Sequence, residues 1–454
     1  MNIIIVGCGK VGYTLVEALS NENHNIVVID TRQDKLDLIT DTLDVMGILG
    51  NGVSHTVLMQ AGIETADLLI AVTGSDEENL LCCVIAKKRG HCQTIARIRN
   101  PIYNVEMEFL KKEFDINMII NPELTAANEI SKVFQFPSAI RVDTFAKGRV
   151  ELLHFKIGSN SPLIGLKLSK FHATLHCNNV LVCTITRNDS EVIIPNGDFE
   201  FAANDIVTIV AKRRDAIDFF RKIGMEKKRV TNTILAGGGK ISYYLAKSLL
   251  MSGIKTTIIE INHDRCEFLS EQLPKATIIC GDASDKELLS EECLENTGGF
   301  AALTDMDEEN ILLSLYANGI SSAKTVTKVN RINFTSVINK LDLGSIIYPR
   351  VITAEYIIKY VRSMNNSLNS NVESLYKLED GKAEVLEFLL KNNSSVCNIP
   401  LQELKFRKNT LICCIYRDHQ VIVPSGQDCM LPGDSVMVAT SGYNVSDIEE
   451  ILEG

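Results

Sequence analysis

Two glycine-rich stretches, about 230 residues apart, have the residue types and the spacing of phosphate-binding loops. In the first stretch, three glycines directly follow the apolar run Ile3–Val6. Glycines at this spacing permit a tight turn, the close approach of a pyrophosphate group, and the close packing of a helix on the preceding strand. Because a helix presents unpaired N–H groups at its start, the predicted helix from Lys10 would favour an anion there. The loop residues that we assign to the site are Gly7, Cys8, Gly9, Lys10, Val11 and Gly12.

A carboxylate at the end of the second predicted strand could recognise the sugar of a nucleotide. Asp30 follows the apolar run Asn25–Ile29 and lies eighteen residues after Gly12. Its oxygens can accept hydrogen bonds from both ribose hydroxyls, and its charge would repel a 2′-phosphate, so the pattern favours NAD(H) or ATP/ADP over NADP. Two alternatives stay open, because the nearby Arg32 is a counter-signal and because Asp30 could simply cap the end of the strand.

Strands and helices alternate with short loops through residue 136, which predicts a doubly wound parallel sheet. Such a sheet binds ligands at the carboxyl ends of its strands. Arg97 would neutralise a pyrophosphate there, or it could be an ordinary solvated charge. Thr73 would bind a phosphate or the adenine side, or it could only form the turn after its strand. A single helix is predicted from Pro101 to Glu113. The further site residues are Gly50, Asn51, Thr73, Gly74 and Arg97.

The second half of the chain repeats this pattern at an offset of about 230 residues. The tetrapeptide Asp-Glu-Glu-Asn, for example, occurs at 76–79 and again at 307–310. Ser242 replaces the third glycine, so we expect the second helix to lie slightly farther from its loop. Whether the second site binds a ligand is left open by this change. The matching site residues are Gly237, Gly238, Gly239, Lys240, Ile241, Glu260, Asp282, Thr304 and Lys328.

Short β-type runs replace the strand–helix alternation after each predicted sheet. A turn at Pro195–Gly197 in the first such region recurs at Pro424–Gly426 in the second. Repetition of both regions predicts a tandem duplication of a two-domain unit. The fold class is therefore α/β, with two Rossmann-like doubly wound parallel sheets, each followed by a small α+β C-terminal lobe. The predicted limits are 1–136 and 230–363 for the sheet domains, and 141–225 and 371–454 for the small lobes.

The amino-acid composition argues against several classes of binding partner and of site. The formal net charge of −11 argues against binding to nucleic acid or to an anionic membrane surface. No apolar run approaches the roughly 18–20 residues of a membrane span, and the chain starts in a predicted strand without a signal peptide. The 13 cysteines and 8 histidines lack metal-ligand spacing, so we expect no metal site and interpret the cysteines as small core residues in a reducing compartment.

The sequence resembles the TrkA family, the cytosolic regulators of Trk-type potassium uptake that consist of two regulator-of-conductance-of-potassium (RCK) units in tandem. The resemblance covers essentially the whole chain, and the motifs that carry it are Gly7–Gly12 with Asp30, Gly50–His55, Ala71–Glu77, Ala96–Arg99, Gly237–Ile241 and Gly281–Asp285. It implies a protein that is not an enzyme, that binds NAD(H) or ATP/ADP at the positions named above, and that forms a homo-oligomer, dimer or tetramer. It also implies a cytoplasmic, peripheral subunit that gates a membrane-embedded potassium-translocating subunit.

Two alternative functions compete with this interpretation. An NAD-dependent oxidoreductase would need a general acid or base and a substrate-orienting arginine beside the nicotinamide, and the small lobes offer no such group. A regulatory subunit of another potassium transport system, or of a soluble enzyme, would use the same architecture. The duplicated arrangement without an attached membrane segment favours uptake over efflux. The sequence leaves open which nucleotide is physiological.

Overall fold

The computed structural model of the chain describes residues 1–22, 24–145, 150–177, 179–188, 191–225, 229–292, 294–331, 335–338, 340–369, 372–378, 383–391, 394–442, 445 and 447–453. These residues form two compact units. The first unit contains residues 1–131 and 231–358, and the second contains residues 132–230 and 359–454. Two of the predicted domain limits, 371 and 454, lie outside the described residues.

The first unit begins with a six-stranded parallel sheet in the order β3-β2-β1-β4-β5-β6. Its strands are β1 Asn2–Val6, β2 Asn25–Asp30, β3 Met46–Leu49, β4 Leu68–Ala71, β5 Gln93–Arg97 and β6 Met118–Ile120. The helices after them are α1 Lys10–Ser20, α2 Gln33–Thr40, α3 His55–Gln60, α4 Asp76–Gly90, α5 Pro101–Val105, α6 Met107–Glu113 and α7 Pro122–Gln135, with a 3-10 turn at Ile63–Thr65. The strand order reverses at β1, which pairs with both β2 and β4, so a ligand crevice is expected where β1 and β4 end.

The first small lobe is a five-stranded sheet in the order β10-β9-β11-β8-β7, and all its neighbouring strands run antiparallel. Its elements are β7 Arg141–Phe145, β8 Val150–Lys156, α8 Leu168–Leu175, β9 Val180–Arg187, β10 Glu191–Ile193, β11 Ile206–Ala211 and α9 Arg213–Lys222. One face of the sheet packs on α8 and α9 through a cluster of phenylalanines that includes Phe155, Phe171 and Phe219. This packing of helices on one face is typical of a small α+β lobe.

The second parallel sheet has the order β14-β13-β12-β15-β16-β17, which matches the first sheet strand for strand. Its strands are β12 Asn232–Ala236, β13 Lys255–Glu260, β14 Thr277–Cys280, β15 Gly299–Ala302, β16 Lys324–Lys328 and β17 Ser345–Ile347. Its helices are α10 Lys240–Met251, α11 His263–Gln272, α12 Lys286–Glu291, α13 Asp307–Ile320, α14 Thr335–Ile338 and α15 Pro349–Asn369, with a 3-10 turn at Leu294–Asn296.

The second small lobe has the strand order β18-β19-β22-β20-β21, again antiparallel. Its elements are β18 Val372–Leu378, β19 Ala383–Leu389, β20 Thr410–Arg417, β21 Gln420–Ile422 and β22 Ser435–Ser441, with 3-10 turns at Leu401–Glu403 and Ile448–Ile451. One ion pair recurs at matching positions of the two small lobes, as Arg187–Asp205 at 2.8 Å in the first and Arg417–Asp434 at 2.7 Å in the second. The two repeats thus agree in sheet order and in buried polar detail, which confirms the predicted fold class.

The two small lobes share part of their core. Cys183 on β9 and Cys413 on β20 are equivalent residues of the two repeats, and each lies at a bulge in its strand. Both are fully buried in one apolar cluster that contains residues of both lobes. Burial raises the pKa of the Cys183 thiol well above its ordinary value, so this thiol stays protonated.

The two parallel sheets of the first unit are joined by polar contacts between their helices. The Asn121 amide, just after β6, donates to the Tyr244 hydroxyl on α10 at 3.0 Å. The hydroxyls of Ser131 and Ser248 are 2.9 Å apart. Because α10 starts at the second glycine loop, Tyr244 connects that loop to the carboxyl end of the first sheet. Across the described part of the chain, the helices are either too short or too polar to span a membrane.

Candidate functional site

The first glycine loop has the geometry that its spacing predicts. Gly7 has a φ of +105°, and a Cβ there would lie 3.0 Å from backbone atoms of Thr73. A Cβ on Gly12 would lie 1.9 Å from the carbonyl oxygen of Gly7, so only glycine lets α1 pack this close to the loop. A Cβ on Gly9 would meet no described atom within 4 Å. The backbone at Gly9 is therefore open to a ligand.

The start of α1 faces the same opening. Among the described residues, no side chain caps the N–H groups of its first turn, and that turn contains no acidic residue. Lys10, the first residue of the helix, is exposed. The N-terminal end of α1 therefore combines the partial positive charge of the helix with a lysine, an arrangement that attracts phosphate groups.

Asp30 holds the glycine loop in place. Its Oδ2 accepts a hydrogen bond from the Cys8 N–H at 2.6 Å, and its Oδ1 accepts one from the Arg32 N–H at 2.9 Å. The capping role considered for Asp30 is therefore present in the structure. Each carboxylate oxygen can accept a second hydrogen bond, so the ribose contact stays a prediction. Burial, with a smaller effect of Asp30, raises the pKa of the Cys8 thiol to about 12, which makes this cysteine inert.

The predicted residues on the other strands meet at the same edge of the sheet. Arg97 donates from Nη1 to the Thr73 carbonyl oxygen at 2.9 Å, while its Nε is buried and has no hydrogen-bond partner among the described residues. Burial, followed by the nearby Arg99, lowers the pKa of Arg97. The Gly50 N–H donates to the Asp30 carbonyl oxygen at 3.0 Å. These contacts bring together the glycine loop, Asp30, Gly50, Thr73 and Arg97.

Asn51 and Gly74 have different roles at the rim. The Asn51 side chain accepts a hydrogen bond from the Val53 N–H at 3.0 Å and shapes the loop after β3. A Cβ on Gly74 would meet no described atom within 4 Å, so Gly74 leaves the space beside Arg97 open.

A buried asparagine that the sequence interpretation did not assign holds this edge together. The Asn79 side chain accepts from the Thr73 N–H at 2.8 Å and donates to the Arg97 carbonyl oxygen at 2.8 Å. It thereby clamps the ends of β4 and β5. Asn310 repeats the clamp with the Thr304 N–H at 2.9 Å and the Lys328 carbonyl oxygen at 3.1 Å. The repeated Asp-Glu-Glu-Asn tetrapeptide was the available signal for this role.

The second glycine loop repeats the first with one local change. Gly237 has a φ of +97°, and a Cβ on Gly239 would again meet no described atom within 4 Å. Glu260 accepts from the Gly238 N–H at 2.6 Å through Oε2, as Asp30 does in the first loop. The buried Ser242 donates its hydroxyl to the Gly237 carbonyl oxygen at 2.5 Å. A hydroxymethyl group would not fit at Gly12, so the second loop–helix junction must be wider than the first.

We call the space beside the first glycine loop, Gly7–Gly12, the first crevice, and the space beside the second glycine loop, Gly237–Ile241, the second crevice. The charged side chains of the second crevice differ from those of the first. Asp305 stands where the first repeat has Gly74, and its carboxylate pairs with the Lys328 ammonium at 3.3 Å. Asp282 replaces Asn51 and accepts from the Ser284 N–H at 2.8 Å, and this hydrogen bond is the main reason that its pKa is lowered. Arg265 donates to the Gly238 carbonyl oxygen at 2.7 Å. The second crevice thus contains two carboxylates, those of Asp282 and Asp305, where the first crevice has Asn51 and Gly74.

Both types of domain match known protein families. The model of the TrkA-N domain matches residues 3–122 and 233–349, and the model of the TrkA-C domain matches residues 152–224 and 385–453. The chain belongs to the TrkA family. It is 31% identical to Trk system potassium uptake protein TrkA homolog 2 of Methanosarcina mazei, over the full length of both chains. It is 32% identical to the TrkA homolog of Archaeoglobus fulgidus, also over both full lengths.

A solved structure has the same fold at low sequence identity. The GsuK channel bound to NAD matches with a TM-score of 0.63 and 15% identity, over 97% of this chain and 76% of that one. Family membership and fold together identify the TrkA-family chain as a regulatory potassium-transport subunit, built from tandem TrkA-N and TrkA-C domains. The expected family is therefore confirmed, whereas the individual ligand-binding residues stay predictions.

Proposed function

We propose that this chain senses a nucleotide in its first crevice and thereby gates a membrane-embedded potassium-translocating subunit. In this proposal it is not an enzyme. It acts as a homo-oligomer on the cytoplasmic face of the membrane, and its ligand is NAD(H) or an adenine nucleotide, ATP or ADP.

The observation that carries the proposal is the half-buried guanidinium of Arg97 beside an open glycine loop. Its Nη1 donates to the Thr73 carbonyl oxygen, and the N–H groups on its exposed side would donate to a phosphate oxygen. The N-terminal end of α1, the open backbone at Gly9 and the open space at Gly74 offer room for the rest of a pyrophosphate. Asp30 would hold the ribose. The GsuK channel, whose fold this chain shares, has been solved bound to NAD, which supports the choice of ligand class.

Gating requires that the nucleotide bind one conformation more tightly than another. A pyrophosphate between the N-terminus of α1 and Arg97 would tie the loop after β1 to the end of β5. Asn121 lies after the neighbouring strand β6 and contacts Tyr244, so a shift at this edge has a direct route to the second sheet. A coupling of about 1–3 kcal/mol per site is typical of such systems. Several sites in one oligomer can add to a switch.

The proposal is tested in two stages. Calorimetry on the purified chain, with NAD, NADH, ATP and ADP titrated separately, measures affinity and the number of sites. Potassium flux into vesicles that contain the membrane subunit then measures gating, with and without the chain and the nucleotide. We expect nucleotide binding at one or two sites per chain, and a potassium flux that depends on the presence of both the chain and the nucleotide. Absence of binding below about 1 mM, where the free energy of binding is only about −4 kcal/mol, would refute the ligand-gated mechanism.

An oxidoreductase would give a different result in the same samples. With NADH bound, it would oxidise the cofactor when supplied with a carbonyl or hydroxy-acid substrate, and absorbance at the nicotinamide band would change with time. We expect no turnover. Nucleotide binding without any effect on flux would instead favour a regulator of another transport system or of a soluble enzyme.

A further inference from the structure

The second crevice contains a pair of cysteines that the first crevice lacks. Cys280 is the last residue of β14, and Cys266 lies in the first half of α11. At the equivalent positions the first repeat has Leu49, the last residue of β3, and Leu36 on α2. The strand pairing confirms this equivalence, because Glu260 is opposite Cys280 just as Asp30 is opposite Leu49.

The two thiols are close together and differ in exposure. The Cys266 thiol and the Gly281 N–H both donate to the carbonyl oxygen of Glu260, at 3.3 and 2.9 Å. Burial, and after it the adjacent Cys280 thiol, raises the pKa of Cys266 to about 11, as expected for two neighbouring thiols. Cys266 is buried, whereas Cys280 is exposed to solvent. An exposed sulfur is open to attack by a dissolved oxidant, and a buried sulfur beside it is placed to react next.

We propose that Cys266 and Cys280 form a redox site, in which hydrogen peroxide oxidises Cys280 and Cys266 then closes an intrachain disulfide at the edge of the second crevice. The proposal concerns thiol chemistry alone and does not depend on whether a nucleotide binds.

The chemistry balances in two steps. The Cys280 thiolate attacks one oxygen of the peroxide, the O–O bond breaks, and hydroxide leaves to take up the proton of the original thiol as water. The sulfur is now a sulfenic acid. The Cys266 sulfur then attacks the Cys280 sulfur, the S–O bond breaks, and the departing hydroxide takes the Cys266 proton as a second water. Two thiols are oxidised by two electrons in total, and one peroxide is reduced to two waters.

The bridge would change the mobility of the second crevice. Gly281 and Asp282 directly follow Cys280, and α11 begins shortly after Glu260. A disulfide between Cys266 and Cys280 therefore ties the loop after β14 to the helix after β13. Nothing comparable can form in the first crevice, since Leu36 and Leu49 are chemically inert.

The chain offers an internal control for the experiment. Cys183 and Cys413 also lie in one cluster, but both are fully buried there between the small lobes. If closeness of two thiols were sufficient, this pair would oxidise as well. If an exposed member is required, it will stay reduced.

The full-length chain is treated with hydrogen peroxide, its remaining thiols are blocked, and its peptides are mapped by mass spectrometry without reduction. We expect a linked peptide of Cys266 and Cys280, lighter by two hydrogens than its parts and lost after dithiothreitol, while Cys183 and Cys413 are recovered as free thiols. In C266S, dimedone should capture Cys280 as its sulfenic acid. In C280S, Cys266 should stay unmodified.

Three results would overturn the proposal. One is oxidation of Cys280 without a link to Cys266 in the unsubstituted chain. Another is a link between Cys280 and a cysteine of a second copy of the chain, seen as a dimer on non-reducing gels. The third is a Cys183–Cys413 link that forms as fast as the Cys266–Cys280 link.

Discussion

The two crevices of the first unit share a scaffold and differ in charge. In both, a glycine with positive φ forms the turn, a carboxylate accepts from a loop N–H, and a buried asparagine clamps the fourth and fifth strands. In the first, Arg97 keeps a buried N–H without a partner among the described residues. In the second, the carboxylate of Asp305 pairs with Lys328. Duplication has therefore preserved the backbone of the glycine loop and its clamp, while a few side chains at the rim of each crevice differ in charge.

The largest expected effect tests the part that the crevices share. Replacing Asn79 by alanine leaves the Thr73 N–H and the Arg97 carbonyl without partners, and each buried, unsatisfied group costs about 1–3 kcal/mol. We expect N79A to lower the free energy of unfolding by about 3 kcal/mol, measured by denaturant titration. Asn310→Ala should cost a similar amount. N79D, which keeps the acceptor but loses the donor, should lie between the wild type and N79A. A loss for N79A within experimental error would contradict the clamp.

The next effect concerns the cation in each crevice. Arg97→Ala should weaken nucleotide binding about 10- to 100-fold, because a charged hydrogen bond contributes about 1.5–3 kcal/mol. Lys328→Ala should change the affinity by less than about threefold, because the carboxylate of Asp305 already forms an ion pair with the Lys328 ammonium. Calorimetry of both variants with the same nucleotide measures the difference. Equal losses in the two variants would mean that the crevices bind alike, and the comparison would fail.

Exchange of the rim residues Gly74 and Asp305 should make the nucleotide affinities of the two crevices more alike. Gly74 has room for a side chain, so G74D should fold normally and weaken binding in the first crevice about tenfold through charge repulsion. D305G frees Lys328 and should strengthen binding in the second crevice a few-fold. Both are measured by calorimetry at low and high salt, because a Coulomb effect shrinks as salt rises. An affinity change in G74D that is independent of salt would point to shape rather than charge.

The smallest effect sharpens the comparison by asking whether the crevices communicate. Tyr244→Phe removes one hydrogen bond to Asn121 and should lower the free energy of unfolding by about 1 kcal/mol. If the crevices are coupled through this contact, Y244F should also change the nucleotide affinity of the first crevice, which Tyr244 does not contact in the described structure. Ser248→Ala, which removes the contact of α10 with Ser131 on α7, is the matched control. An unchanged affinity in Y244F would locate the coupling elsewhere.

Much of the fold follows from local patterns that the sequence carries. The apolar runs and the glycine spacing predict two doubly wound parallel sheets and the turns at Gly7 and Gly237, and both are found. The single helix predicted from Pro101 to Glu113 is wrong in one respect, because it breaks into two helices at Glu106. Neither a glycine nor a proline marks that point, so the sequence carries no local signal for the break.

The charge of the second site could not be predicted in the same way. Asp305 and Lys328 are 23 residues apart, and their pairing depends on the fourth and fifth strands of that sheet ending side by side. The role of Asn79 likewise depends on contacts with residues that are distant in sequence. Ser242 was visible from the sequence, but its hydrogen bond to the Gly237 carbonyl oxygen required the loop geometry.

The contact between Cys183 and Cys413 has an evolutionary consequence. In an assembly of two identical single-repeat chains, a residue on the symmetry axis meets its own copy, and one substitution alters both sides at once. Fusion of the repeats into one chain removes that constraint. The residues that follow these two cysteines already differ, with Thr184 in one repeat and Cys414 in the other. The same freedom lets one crevice acquire Asp305 and a dithiol while its counterpart retains Gly74 and two leucines, so that a single chain carries two unlike crevices.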